Sequence, residues 1–427
     1  MMGNDIGIGQ YATSSPGIGG ILKAAPEDFV VEEISDLPPP GGSLYTVAKV
    51  KSRNWESNRL VRQLSRELRV SRRRIFFAGT KDKRAVTTQL MEFQAPMEAV
   101  ASIRIADVEI SDLYMTNRRL EIGDLVGNRF RLNARDLACS DEEAKERTEA
   151  IHGQLMAMGG FPNFFGVQRF GAVRPVTHLV GKAMVNGDFE RGVMLYLANP
   201  IEGEIPEALE ARRRLEGERD FPLALRYFPK NLSFELAVIN HLVKSPGDYT
   251  GALSALPFNL QMMFVHAYQA YLFNRALSER MRLGHAPNVP LVGDMVLTVD
   301  KKGLPDQERR IEVGTENVDL MARLCREGKA FVSGVLFGWK SLFASGIQGE
   351  IEERIVSDEG LEQDDFMIPA MRRMSSKGTR RALVSPYWEF SSNVVGGVAQ
   401  FNFALPRGTY ATVLMREFMK ESREKIS

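Results

Sequence analysis

The chain has 427 residues, too many for one compact core of ordinary size, so two or three domains are expected. A hydrophobic share of 44% is that of a globular protein, and a formal net charge of only +1 rules out a uniformly basic or acidic surface, so charge has to be read locally. Two cysteines, Cys139 and Cys325, are too few and too far apart for a disulfide framework or a metal-ligand spacing, which points to a reducing, cytoplasmic setting. Residues 1–20 contain no Lys or Arg and only short apolar runs, unlike a secretory signal. The most apolar stretch, 253–277, is interrupted by Asn259, Gln261, His266, Gln269 and Asn274 and predicts a buried helix rather than a membrane span.

In chain order, residues 21–34 read as a strand, turn and strand around Pro26-Glu27-Asp28, and 43–51 as a second strand after a Pro/Gly-rich loop. Asn54 or Ser57 caps a helix running to Val70, with Leu60, Val61, Leu64 and Leu68 on one face and Arg59, Arg62, Arg66 and Arg69 on another. Strands are expected over 86–93, 108–113 and 120–137, and a helix over 141–158. An aromatic, Gly-rich loop at 159–171 then changes the texture, and the chain reads as mostly helical to about 384, with strands between 289 and 335. A strand over 394–405 and a helix over 410–424 return to the texture of the first part. The inference is one α+β domain, formed by 1–159 and 385–427, interrupted by a large, mostly helical α/β insertion over 160–384.

The segment F-A-G-T-K-D-K-R-A-V-T-T-Q, Phe77 to Gln89, places one carboxylate, Asp82, between Lys81 and Lys83 on a loop joining two strand-like runs. Gly79 allows that loop a tight turn, and Lys81, Lys83 and Arg84 favour an anionic Asp82. From Lys51 to Arg84 the chain carries twelve basic residues, among them Arg72, Arg73 and Arg74, against three acids, Glu56, Glu67 and Asp82. Such a patch suits a phosphate backbone passing the carboxylate loop, the bland alternative being a solvated helix face. Asn128 and Phe130 lie two apart on a predicted strand and share a sheet face, where an amide can read a base edge and a ring can stack on an extruded base. Asn163, Gln168 and Arg169, interleaved with Phe161, Phe164, Phe165 and Phe170, offer either a surface for single-stranded nucleotides or a hinge with buried rings. The Gly-rich start lacks the strand and helix of a dinucleotide site, and no Walker lysine pattern is present. The five histidines are scattered and no G-x-S-x-G occurs, so neither a zinc site nor a hydrolytic triad is indicated.

Six blocks in register resemble the tRNA pseudouridine synthase D family: K-A-A-P-E-D-F-V-V-E-E from Lys23, the Asp82 loop, G-N-R-F from Gly127, N-F-F-G-V-Q-R-F-G from Asn163, A-Y-L-F-N-R-A-L-S-E-R from Ala270, and L-P-R-G-T-Y-A-T-V-L-M-R-E from Leu405. The chain departs from the family pattern at Phe164, usually Tyr, and carries Tyr410 where other members can carry Phe. The resemblance implies a pseudouridine synthase-type catalytic domain with a mixed, mainly antiparallel sheet, interrupted by the family's insertion domain. It implies isomerisation of uridine in tRNA, typically at position 13, without cofactor or metal, with Asp82 catalytic and Lys23 its ion-pair partner. Lys81, Lys83 and Asn128 would support the site, and Phe130 and Tyr410 would flank a flipped uracil. Arg59, Arg62, Arg66, Arg69, Arg72, Arg73, Arg84, Gln168 and Arg169 are the expected RNA contacts, and tRNA is the expected partner of a monomeric enzyme. The rival readings are a non-catalytic RNA-binding protein and a metal-dependent nuclease.

Overall fold

The computed structural model describes residues 6–426, so that 1–5 and 427 of the expected catalytic segments lie outside the described residues. The chain divides into two compact units, one formed by Thr13–Phe161 and Ser385–Ser427, the other by 6–12 and Pro162–Val384. Residues 6–12, expected with the N-terminal part, therefore group with the second unit.

The first unit is built on a nine-stranded sheet. Its N-terminal strands are β1 (Ile21–Leu22), β2 (Phe29–Ser35), β3 (Tyr45–Arg53), β4 (Ile75–Phe77), β5 (Val86–Phe93), β6 (Val108–Thr116) and β7 (Leu125–Arg135), joined by the C-terminal strands Trp388–Val395 and Val398–Pro406. The order runs from Trp388–Val395 through Val398–Pro406, β7, β2, β5 and β3 to β6, with β1 added to β7 and β4 to β5. Only β2 and β5 run parallel, with Val30 opposite Val86, so the sheet is mixed and mainly antiparallel. Val398–Pro406 was read in the sequence as the end of one strand beginning at Val394. It is instead the second arm of a hairpin, because Gly396 and Gly397 both take positive φ (61° and 74°), the backbone of a two-residue turn whose twist matches its strands.

Register decides what faces what. Glu33 lies opposite Asn128 and Val31 opposite Phe130, while Phe403 and Leu405 flank the same two residues from the other side. Side chains alternate along a strand, so Phe29, Val31, Glu33, Asn128, Phe130, Phe403 and Leu405 share one face. Helix α1 (Ser57–Glu67) covers one end of it, its Leu60, Val61 and Leu64 buried with Ala48, Val50, Met91 and Phe93. The other end is covered by α3 (Asp141–Met158) and Ala411–Met419, where His152 of α3 stacks on Phe390, which stacks in turn on Phe418, whereas the short α2 (Met97–Ala101) packs beside β6 at the same end as α1. Helix α1 is capped by Glu56, whose carboxylate accepts from the Asn58 and Arg59 amides, and not by Asn54 or Ser57 as expected. It stops at Glu67, and the helix Ala411–Met419 stops there because Lys420 turns left-handed (φ 49°), with a short helix, Arg423–Ile426, following it.

The second unit is mostly helical around Phe258–Arg282, whose Phe264, Tyr268 and Phe273 are buried as packing residues. It also holds an antiparallel four-stranded sheet in the order Pro305–Glu312, Met295–Val299, Ala330–Leu336 and Thr379–Ala382.

The turn Pro26–Asp28 is fixed by a fully buried carboxylate. Asp28 accepts hydrogen bonds from Arg135 Nε and Nη2 (2.9 and 2.7 Å), Asn133 Nδ2 (3.2 Å) and the Ala25 amide (2.9 Å). Burial alone would push this carboxyl up, but the Arg135, Ala25 and Asn133 donors outweigh it and hold it below the usual carboxylate range. A depressed carboxyl contributes stability above its unfolded value and loses it as pH falls through the folded one. Asp28→Asn should therefore cost about 1.5–3 kcal/mol in urea unfolding at neutral pH, and the gap to wild type should narrow as the pH is lowered into the acid range. A gap independent of pH would contradict this role.

Candidate active site

Asp82 sits on the loop between β4 and β5, which pair antiparallel from Ile75 and Phe93 inward. The loop is tied to α1 by the Lys81 amide, which donates to Ser57 Oγ at 2.9 Å, so Ser57 anchors the loop rather than capping the helix. The chain bends at Ala78–Gly79, but Gly79 does not take a left-handed backbone, so the bend does not draw on glycine's freedom at positive φ.

The carboxylate of Asp82 meets Lys23 Nζ at 3.3 Å. The ammonium is the buried partner, its side chain 7% exposed against 34% for Asp82. Lys23 also lies over the Phe29 ring, 4.2 Å from its centroid, and takes a left-handed backbone (φ 57°), a strained conformation for a residue with a Cβ. Its place is set by the Asp28 turn that follows it and by β1, paired through Leu22 with Ala134.

The two lysines that flank Asp82 in the chain do not pair with it. Lys81 turns to the sheet, its ammonium 3.0 Å from Glu33 Oε2 and donating to Asn128 Oδ1 at 3.0 Å. Lys83 is exposed, and Arg84 donates to the Ala24 carbonyl at 2.9 Å, bracing the Lys23 segment from outside. Phe130 is half-buried, stacked on Phe403 at 5.5 Å between centroids and edge-on to Phe29 at 6.1 Å. The glycine of G-N-R-F has a packing reason, since a Cβ on Gly127 would meet the Leu405 carbonyl oxygen at 2.2 Å. Tyr410 is half-buried and immediately precedes the helix Ala411–Met419, four residues beyond Pro406, which pairs with Gly127.

Among the basic residues, Arg59 lies over the Trp55 ring and Arg62, Arg66, Arg69, Arg72 and Arg73 are exposed with no ion pair among the described residues. Gln168 and Arg169 belong to the second unit, on the turn Val167–Arg169. The rings around them are buried, Phe164 and Phe170 completely, Arg169 lies over Phe165, and Asn163 is occupied by the Ala382 carbonyl and Arg381. The segment thus packs as a core, and no aromatic platform for nucleotides is exposed there. A groove of about 780 Å³ in the first unit is lined by Val30, Glu32, Arg129 and Arg131, which alternate with Val31, Glu33, Asn128 and Phe130 and so belong to the opposite sheet face, although Phe130 and Phe403 also border it. Among the described residues no group of three or more His, Cys, Asp or Glu could hold a metal, and no helix is long and apolar enough to cross a membrane.

Sequence reasoning missed Glu33 and the Asp28–Arg135 lock. The alternation in E-D-F-V-V-E-E was the available signal for Glu33, because it sets Phe29, Val31 and Glu33 on one face. Its partner strand came from the fold alone.

Residues 5–418 match a family model described as tRNA pseudouridine synthase D (TruD). Two relatives named "Probable tRNA pseudouridine synthase D" are similar along nearly their whole length: that of Methanococcoides burtonii is 39% identical over 99% of this chain and 98% of its own, and that of Methanosarcina acetivorans 41% over 97% and 96%. A Methanosarcina mazei crystal structure assigned to the same family superposes with a TM-score of 0.84 at 40% identity, covering 98% of each chain. The chain belongs to the tRNA pseudouridine synthase D family of isomerases.

Proposed function

We propose that this tRNA pseudouridine synthase isomerises the uridine at position 13 of its substrate, with Asp82 as the one catalytic carboxylate. The observation that carries the reading is the Lys23–Asp82 pair, in which a buried ammonium holds a carboxylate whose other side reaches solvent. In the reaction the N1–C1′ bond breaks and a C5–C1′ bond forms, with the C5 proton lost and N1 gaining one, so atoms and charge balance without a redox partner. An anionic carboxylate serves either route to that outcome, by attacking or stabilising C1′ as positive charge develops there, or by removing the 2′ proton on the way to a glycal. Lys23 keeps the carboxylate in place and counters its charge in both. Asn128 supplies an amide beside the base, and Phe130 and Tyr410 supply rings on either side of the everted uracil. The exposed arginines of α1 and the turn after it, with Lys83 and Arg84, would track the phosphates, and Gln168 and Arg169 would add polar contacts from residues 160–384, read as the insertion in the catalytic domain. The enzyme would work as a monomer in the cytoplasm, where two unpaired cysteines suit reducing conditions.

Asp82→Asn keeps the shape and removes the charge, so pseudouridine formation on tRNA, read by base-specific chemical labelling, should fall at least about 1,000-fold while binding persists. Unchanged product formation would remove Asp82 from the mechanism. Phe130→Ala should raise the barrier by about 1–3 kcal/mol through lost stacking, seen as slower single-turnover conversion, and a wild-type rate would exclude the ring from the base site. Arg66→Ala with Arg69→Ala should reduce the slope of log affinity against log salt by about 2; an unaltered slope would assign those arginines to plain surface.

A further inference from the structure

Beside the Lys23–Asp82 pair lies a second pair of opposite charges that the reaction as described does not use. Glu33 is 2% exposed at its side chain and Lys81 7%, and their charged atoms stand 3.0 Å apart in ionic contact outside hydrogen-bond geometry. The other carboxylate oxygen of Glu33 accepts from Ser35 Oγ at 2.6 Å. Lys81 is the immediate chain neighbour of Asp82, and its ammonium has donors only, so the group it meets at 3.0 Å on Asn128 must be the amide oxygen. That contact leaves the two N–H donors of Asn128 for another acceptor, and no described residue takes them.

Without Glu33, the anion next to Lys81 in the chain, Asp82, becomes the competing partner. Two cations would then converge on one carboxylate, since Lys23 already holds it from the buried side. The carboxylate would lose its open side, and Asn128 would lose the contact that orients its amide. A cross-strand pair fixes this arrangement, because Glu33 and Asn128 lie directly opposite each other on β2 and β7 and Lys81 bridges them. The charged groups facing the cluster are Glu33 and Lys81 themselves, Asp82 and Lys23; Lys83 is exposed, Arg84 is engaged with the Ala24 carbonyl, and Glu32 and Arg129 project from the other sheet face.

We infer that Glu33 is a positioning residue that holds the Lys81 ammonium off Asp82 and on Asn128, leaving the carboxylate one open side and the amide its N–H donors for a pyrimidine carbonyl. This rests on the assignment of Asp82 as the catalytic carboxylate. The test is single-turnover conversion of tRNA by the full chain, alongside tRNA affinity and a thermal melt. Glu33→Gln should slow conversion per folded molecule about 100-fold, the scale of a misplaced reacting group, with affinity within twofold of wild type. Adding Lys81→Met removes the cation that would move, and Glu33→Gln/Lys81→Met should convert at least tenfold faster than Glu33→Gln. A merely structural role would lower the melting temperature and leave the rate per folded molecule within threefold of wild type, and that result overturns the inference, as does a double variant no faster than the single one. If Glu33→Gln does not fold, the charge-free double variant must still convert within about tenfold of wild type, and a slower rate overturns the inference equally. Full turnover in Asp82→Asn would defeat the underlying reading instead, whatever Glu33→Gln does.

Discussion

A buried ammonium has to be given an anion, and that requirement organises the first unit. Removing a charge from water costs several kcal/mol unless it is paired, and among the described residues Asp82 is the carboxylate that Lys23 finds. The pair cannot form from local sequence, since 59 positions separate its members. It forms because β2 and β5 are parallel neighbours, which brings the segment before Val30 beside the segment before Val86. The left-handed backbone of Lys23 and the Asp28 turn after it are the means by which the chain delivers the ammonium to that spot. Strain at Lys23 is tolerated because β1 on one side and the Arg135–Asp28 contacts on the other leave it no alternative.

Charge in the site is arranged as two separate pairs instead of one cluster. Lys23 with Asp82 and Lys81 with Glu33 sum to zero, and each cation has one carboxylate within 3.3 Å. The difference between them is exposure: the Glu33 carboxylate is sealed, whereas a third of the Asp82 side chain is accessible. A sealed carboxylate cannot meet a nucleotide, and an accessible one can. Of the two, Asp82 is therefore the one placed to take the role proposed for it.

The legible parts of the fold were those in which local pattern and tertiary demand agree. Strand β5 and helix α3 fell at the expected bounds, 86–93 and 141–158, and the structure shows the helix opened by the Ser140 cap with Glu143. The C-terminal hairpin was misread because V-V-G-G-V is apolar throughout, and nothing but the sign of φ at Gly396 and Gly397 reverses the chain. The aromatic block at 161–170 was ambiguous for a similar reason: its composition serves a stacking surface or a core equally, and only packing around Phe164 and Phe170 decides for the core. At the site, Asp82, Asn128 and Phe130 stood out as chemistry-bearing residues, although β2 separates the strand of Asn128 and Phe130 from the strand after the Asp82 loop. The direction in which Lys81 turns did not, since adjacency in sequence favours a Lys81–Asp82 contact and the competing attraction of Glu33 comes from a strand 48 positions away.

The basic run from Lys51 to Arg84 separates into two kinds of residue once partners are known. Lys51 and Arg53, on β3, are answered within the protein by Glu109 and Glu27. Arg62, Arg66, Arg69, Arg72 and Arg73, on and just after α1, have no such acid, although the chain as a whole carries nearly as many acids as bases. The second unit shows what this protein does with arginines it uses for structure, pairing Arg280 with Asp294 and Arg380 with Glu352 in full burial. Of these exposed arginines left without a carboxylate, Arg62 and Arg66 stand on the helix whose first turn anchors the Asp82 loop through Ser57. A polyanion bound along that helix would relieve the mutual repulsion of these side chains and release its own counterions. It would do so beside the one carboxylate that the buried lysine leaves open.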